Sequence, residues 1–397
     1  MPVLIHTTPD LYQKVTLLGG QAQYDLCEAQ GQPTPLPAAE SSAPPTPDVS
    51  DSVATVIGQG GRPVPLLRIL QTSACEKNCY YCPFRAGRRL RRNTLTPDEL
   101  ASAFDQMQRK SLVEGLFLSS GIIGTERTMD RMLATVELVR QKYQWRGYIH
   151  LKLLPNAEEA QIERAALLAD RLSVNLEAPN EARLARLAPK KDFDHGLIKP
   201  LQRAWAIVQR LRRQGRAVAS AGAVTQFVVG PAGESDQELL AASQRLYRQV
   251  GLRRAYYSAF NPIDDTPLQE EAPTPPLRQH RLYQADFMLR QYGFDVAELP
   301  FDSQGNLPDQ RDPKLAWAAQ HPEFFPVEIN RAPQALLLRV PGIGPTGAAA
   351  IMQARRGSRL RSLADLQRLG VRSQQAAPYV LFDGRAPSHQ LHLFRDL

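Results

Sequence analysis

From Pro65 to Gly293 the chain alternates short apolar runs with longer segments whose apolar residues recur every three to four positions. The runs are Pro65–Thr72, Gly115–Ser120, Tyr148–Leu154, Arg171–Ala178, Gln226–Gly230 and Ala255–Phe260. Their length and content predict six strands. The periodic segments predict helices over Thr96–Lys110, Thr128–Tyr143, Glu158–Ala169, Gly196–Arg213, Ser235–Val250 and Leu277–Tyr292. The first opens on Thr96-Pro97-Asp98-Glu99, a hydroxyl cap followed by proline and acid in the first turn. Gly215 and Gly293 supply C-terminal stops. Strict alternation predicts an α/β fold of parallel βαβ units with right-handed crossovers. Six units fit a partial barrel or an open doubly wound sheet, and periodicity does not separate the two.

Outside this array the pattern differs. Residues 1–62 read as an accessory segment with a short helix near Asp10–Leu17, followed by a Pro-, Ala-, Ser- and Thr-rich linker over Pro33–Val49. After Pro300 the alternation stops. Pro313–Ala319 and His321–Pro326 read as short helices and turns, and Leu336–Ile351 as helix, tight turn at Pro341–Gly344, and helix. Ser362–Leu369 with Gly370-Val371 reads as a weaker second copy. The expected organisation is an N-terminal segment (1–62), an α/β core (63–300) and a small all-α C-terminal region (301–397).

Three of the four cysteines stand within eight residues, as Cys75-x3-Cys79-x2-Cys82. Three thiolates can hold three corners of a 4Fe–4S cubane and leave one iron open to a further ligand. Zinc would call for a fourth ligand at suitable spacing, and three structural cysteines placed by coincidence are the third reading. Cys27, alone in a polar stretch, reads as a bystander. So few, crowded cysteines argue against a disulfide framework. With no apolar run of membrane-spanning length and no signal-peptide pattern, the expected location is the cytoplasm.

The net charge of +8 and pI near 9.4 suit a polyanionic partner or reflect an arginine-rich composition, so the position of the charges must decide. Arg85, Arg88 and Arg89, with Arg91 and Arg92, follow the cysteines directly, where they could steer a phosphate backbone or simply be solvated. In the C-terminal hairpin, Gly342, Ile343 and Gly344 form the turn. Thr346 and Gly347 begin the second helix and Arg355 and Arg356 end it. Backbone N–H groups at such a helix start can bind phosphate oxygens without reading sequence.

The cysteine spacing, with Tyr81 before the third cysteine, resembles the radical S-adenosylmethionine (SAM) superfamily. That resemblance implies a partial (β/α)6 barrel with the cysteine loop at the C-terminal end of its first strand, where barrel active sites lie. It implies a 4Fe–4S cluster, S-adenosylmethionine bound at the open iron, and reductive cleavage to a 5′-deoxyadenosyl radical. It implies cofactor contacts from Tyr81, from Ser119, Ser120 and Gly121 after the second strand, and from Asn175 and Glu177, two apart on the fourth. Gly230 on the fifth strand would pack against the adenine, and Tyr257 and Ser258 on the sixth could flank it or belong to the core. The Gly230 to Glu234 spacing departs by one residue from the expected form.

The Val340–Gly344 turn (VPGIG) with basic residues behind it resembles the helix–hairpin–helix of DNA-binding and repair proteins. Iron–sulfur DNA glycosylases are a poor fit, since their four cysteines follow the hairpin. Wider wording, including LFLSSGI, YIHLKL, ADRLSVNLE, YSAFNP, DPKLAWA and HPEFFPV, is similar to the radical SAM proteins described as DNA modification or repair enzymes with that C-terminal hairpin. The N-terminal region departs from that group. The resemblance implies DNA as partner, an electron donor such as flavodoxin or ferredoxin, and a uracil-DNA-glycosylase-like protein. Open alternatives are a tRNA or other RNA substrate, or a non-catalytic iron–sulfur protein that binds nucleic acid or senses redox state.

Overall fold

The computed structural model describes residues 9–24, 52–57, 62–216 and 218–387; Cys27 and the Pro-rich stretch lie outside them. Among these residues, no helix is long and apolar enough to cross a membrane. The chain divides into two compact units, Met1–Glu234 with Arg245–Thr274, and Ser235–Gln244 with Pro275–Leu397.

The first unit is built on a seven-stranded sheet: β1 (Val53–Ile57), β2 (Pro63–Leu70), β3 (Gly115–Ser119), β4 (Tyr148–Lys152), β5 (Arg171–Ser173), β6 (Gly222–Val229) and β7 (Arg254–Ala259). The strands lie in chain order, β2 to β7 parallel and β1 antiparallel to β2. This order settles the question that periodicity leaves open. A doubly wound sheet reverses its order at a switch point. Right-handed crossovers between strands in unbroken order put every helix on one face, so the sheet curls as a partial barrel.

The helices that follow the strands are α2 (Pro97–Arg109), α3 (Thr125–Gln141), α4 (Glu159–Leu168), α5 (Glu181–Leu187), α6 (Lys199–Arg213) and α7 (Asp236–Val250), preceded by α1 (Leu11–Gln21). The cap read from sequence on α2 is present: Thr96 Oγ1 accepts from Glu99 N at 3.2 Å, and Glu99 reciprocates on Thr96 N at 2.7 Å.

Strand pairing assigns each side chain to a face. Arg68, Phe117, His150, Arg171 and Gly222 form one row across β2–β6, and Lys152, Ser173, Val224 and Arg254 form the next. Alternate positions share a face, so these residues all look into the barrel. The opposite face carries Leu67, Ile69, Leu116, Leu118, Ile149 and Leu151, none of which is solvent-exposed. Removing each of these side chains from water stabilises the fold by roughly 1.5–3 kcal/mol.

Several details depart from expectation. β1 comes from the segment read as accessory. The fourth strand ends at Ser173 rather than Ala178, because the chain turns away and hooks back onto β6 through Glu177 N to Gln226 O at 2.9 Å. α5 was not read from the sequence; the Asn180 side chain caps it on Arg183 N. The helix expected from Gly196 begins with one wide turn over Asp194–Ile198 before α6.

The second unit contains α8 (Pro276–Gln291), α9 (Pro313–Gln320), α10 (Gln334–Leu337), α11 (Pro345–Gly357), α12 (Leu363–Arg368) and α13 (Ser373–Ala376). The last four form two helical hairpins around a core of Ile329, Leu337, Val340, Ile343, Ile351 and Leu366. Gly342 has φ +82°, and a Cβ there would stand 2.6 Å from Arg372 O. Glycine alone lets the two turns meet, with Arg372 N donating to Gly342 O at 3.2 Å.

A three-cysteine cavity as the candidate active site

The loop leaving β2 carries the cysteines and is held by Arg92. Its guanidinium donates to Ser73 O (2.7 Å), Phe84 O (2.9 Å), Arg85 O (2.9 Å) and Arg88 O (3.4 Å), and so ties both ends of the loop to one side chain. Arg88 donates to Pro83 O and Asp264 O, each at 3.1 Å. Arg85 lies over the Tyr80 ring at 5.9 Å, and Arg89 is exposed. Arg88 and Arg92 thus serve as internal scaffolding, with their donors on main-chain carbonyls, while Arg89 and Arg91 are exposed.

Cys75, Cys79 and Cys82 line a cavity of about 500 Å³ at the C-terminal ends of the strands. Tyr81 lines it too, with Ser120 and Gly121 beyond β3, Asn175 and Glu177 beyond β5, and Ser258 on β7. A Cβ on Gly121 would stand 2.3 Å from Ala74 O, so only glycine lets the exit of β3 lie against the cysteine loop. Burial pushes the Cys79 and Cys82 thiols, and the Tyr81 hydroxyl, above their usual ranges.

Behind the thiols lies a buried ion pair. Lys191 Nζ is 3.0 Å from Glu177 Oε1, with both side chains under a tenth exposed. Burial works against the ammonium, but the Glu177 carboxylate and the nearby thiols outweigh it and hold Lys191 protonated. Glu177 also helps raise the Tyr81 hydroxyl above its usual range and sits at φ +65°, a region non-glycine residues seldom adopt.

Three predicted contacts lie off the cavity wall. Ser119 is buried on the inner face but does not line the cavity. Gly230 N–H donates to the Glu234 carboxylate, which folds back on its own turn. Tyr257 follows the core-packing alternative: it occupies the outer side of β7, fully buried and stacked on Phe227 at 6.1 Å, so Ser258 alone of that pair reaches the cavity. The sequence reading missed Lys191, Lys152 and Tyr24. Tyr24 comes from beyond α1 and meets Phe84 edge-on at 6.2 Å, a placement that no local pattern announces.

In the second unit, Thr346 and Arg356 are exposed and Ile343 and Gly347 buried. Arg355 differs from expectation. Its Nη1 donates to Ile329 O at 3.0 Å and Ala332 O at 2.7 Å, bracing the hairpin from within.

Residues 69–246 match the family model of the radical SAM superfamily. The chain carries a radical SAM domain. It is accordingly an enzyme, and the cofactors of such domains are a 4Fe–4S cluster and S-adenosylmethionine. No curated protein matches the sequence. Among solved structures, the FeFe-hydrogenase maturase HydG from Carboxydothermus hydrogenoformans aligns with a TM-score of 0.45 at 15% identity, over 55% of this chain and 50% of that one. Methylornithine synthase PylB aligns with 0.44 at 16%, over 56% and 60%. A radical S-adenosylmethionine methyltransferase, TsrM from Kitasatospora setae, aligns with 0.38 at 13%, over 51% and 38%. This chain thus spans about half of the first of these proteins and three fifths of the second.

The residues of the radical SAM domain fit its cofactors. Cys75, Cys79 and Cys82 all line one cavity, and three thiolates can hold three corners of a cluster. Ser120 Oγ and Asn175 Oδ1 line the same cavity as buried atoms without a hydrogen-bond partner, and the amino, carboxylate and ribose groups of S-adenosylmethionine would satisfy both. Cys75, Cys79 and Cys82 would hold the cluster, with Ser120, Gly121, Asn175 and Glu177 around the cofactor. When bound, the pair supplies a 5′-deoxyadenosyl radical. The chain's own part is to orient the cofactor, to hold Glu177 against Lys191, and to enclose the thiols in the cavity.

Proposed function

We propose that this radical SAM enzyme acts on nucleic acid, and on DNA in the first instance, as a modification or repair enzyme. The observation that supports the reading is the pair of hairpins in the second unit. Their turns meet at Gly342, and α11 starts beside an exposed Thr346. Arg356, Arg359, Arg361 and Arg368 are exposed on the segments that follow. These features support the reading of a helix–hairpin–helix that would hold a phosphate backbone at a helix N-terminus flanked by cations. A low-potential electron donor such as flavodoxin or ferredoxin belongs to the proposal, as does a uracil-DNA-glycosylase-like partner.

The test is anaerobic incubation of the reconstituted, reduced enzyme with S-adenosylmethionine and genomic DNA, followed by nucleoside mass spectrometry. The expected result is 5′-deoxyadenosine together with a modified deoxynucleoside, both lost in Cys79→Ala. DNA binding should weaken linearly with log salt concentration, with a shallower slope in Arg356→Ala. Modification of tRNA and not DNA would move the substrate to RNA.

A further inference from the structure

Lys314 stands in the first turn of α9, yet it is only 6% exposed, and its side chain runs to the hairpin turn of the second unit. Its Nζ donates to Ile343 O at 2.6 Å and lies 4.3 Å from the centre of the Tyr292 ring. The Tyr292 hydroxyl borders the same turn, since a Cβ on Gly344 would stand 3.5 Å from it. Charges of both signs act on the amine. The Asp312 carboxylate favours its protonation, and the Arg339 guanidinium, itself 2.6 Å from Glu298, opposes it. Arg372 acts on Tyr292 from the start of α13. Asp312 is already engaged as the cap of α9, accepting from Lys314 N at 2.9 Å and from Leu315 N at 3.3 Å. The acceptor that meets the amine is a neutral carbonyl.

Ile343 O and Gly344 N–H belong to one peptide group. Linked hydrogen bonds polarise one another, so an ammonium on the carbonyl makes the N–H a stronger donor. That N–H stands at the start of α11, where Gly344 is the N-cap, no side chain caps the helix and Pro345 has no N–H to offer. A buried cation is costly unless negative charge compensates it. A phosphate at this turn would supply that charge.

We propose that Lys314 is the buried positioning cation of the hairpin, which charges the turn from within and completes its hold on a phosphodiester of DNA. The inference rests on the nucleic-acid reading above and deepens it, because it ties binding to a proton. An anion beside an amine favours the ammonium. Binding should therefore draw a proton onto Lys314, whose pKa burial has lowered to about 7 in the free protein. The sign follows: affinity is full below about pH 7 and falls as pH rises above it.

The experiment is fluorescence anisotropy of a labelled DNA duplex with the full-length, cluster-loaded protein, held anaerobic at constant salt from pH 6.5 to 8.5. Affinity should fall about tenfold across this range in the wild type, within the limit of tenfold per pH unit for one linked proton. Lys314→Met should bind about tenfold more weakly at pH 6.5 and show a flat profile that meets the wild type near pH 8.5. A residue that only shaped the fold would weaken binding equally at every pH. Should the variant fail to fold, calorimetry of the wild type at pH 7.5, in two buffers of different ionisation enthalpy, replaces it. Uptake of more than about half a proton per duplex site is expected. Absence of duplex binding at every pH would sink the nucleic-acid reading and this inference with it. Binding without proton uptake, or a pH slope retained in folded Lys314→Met, would overturn the role of Lys314 alone.

Discussion

Glu177 is buried, sits at φ +65°, and carries the charge that keeps Lys191 tolerable beneath the cysteines. Removing one partner of a buried pair leaves the other uncompensated, so Glu177→Ala should cost about 3–5 kcal/mol in urea unfolding, whereas Glu177→Leu combined with Lys191→Met should recover much of that loss. The same double variant should bind S-adenosylmethionine poorly, which separates the stabilising role from the functional one. Lys314 in the second unit titrates differently. Its amine donates to Ile343 O at 2.6 Å, a bond that neutral and charged forms can both make, and burial lowers its pKa to about 7. Above that value the folded chain lacks a proton that the unfolded chain keeps until about pH 10.4. Stability should therefore rise with pH from about 7 to 10 and be flat below 7. Lys314→Met should remove this slope when unfolding is measured across the range. The sequence names Glu177 but not its partner. Strand alternation puts Asn175 and Glu177 on one face, yet the strand ends at Ser173; both line the cavity, delivered by a hook that follows no periodic rule.

At the level of elements, legibility tracks how local the cause is. α2 announces itself because its cap, its proline and its acid all lie within one turn. α5 does not: seven residues are too few for a period, and its cap, Asn180, belongs to a turn fixed by tertiary packing. β1 is invisible for a related reason, since five residues of VATVI gain a ladder only from β2. Tyr257 shows the cost of naming adjacent residues on a strand, because one of any two neighbours must face the wrong way. Among the hairpins, Gly342→Ala would bring a methyl within 2.6 Å of Arg372 O at an unfavourable φ. It should destabilise the second unit by more than about 1 kcal/mol and weaken DNA binding, measured by protease resistance and by a gel shift. Intact binding by a destabilised variant would show that the turn shapes the fold alone.

For the molecule as a whole, chemistry and architecture were readable to different depths. The cysteine motif and the βα alternation lie in the sequence, but the choice of a partial barrel over a doubly wound sheet depends on strand order, which is a property of pairing. The inner face was hidden for the same reason: Arg68, His150, Arg171 and Arg254 are far apart in the chain and share a face only once the register is known. That register also gives β1 a significance beyond its five residues. By pairing antiparallel with β2 it covers a row of backbone donors and acceptors that would otherwise stand ready to template another chain. A protein shortened to begin at Arg62 keeps Cys75, Cys79 and Cys82 and the arginines of the inner face, yet uncovers that row. It should self-associate as its concentration rises, read by light scattering after gel filtration, while the full-length protein should not. That outcome would make the segment before the barrel a guard against polymerisation.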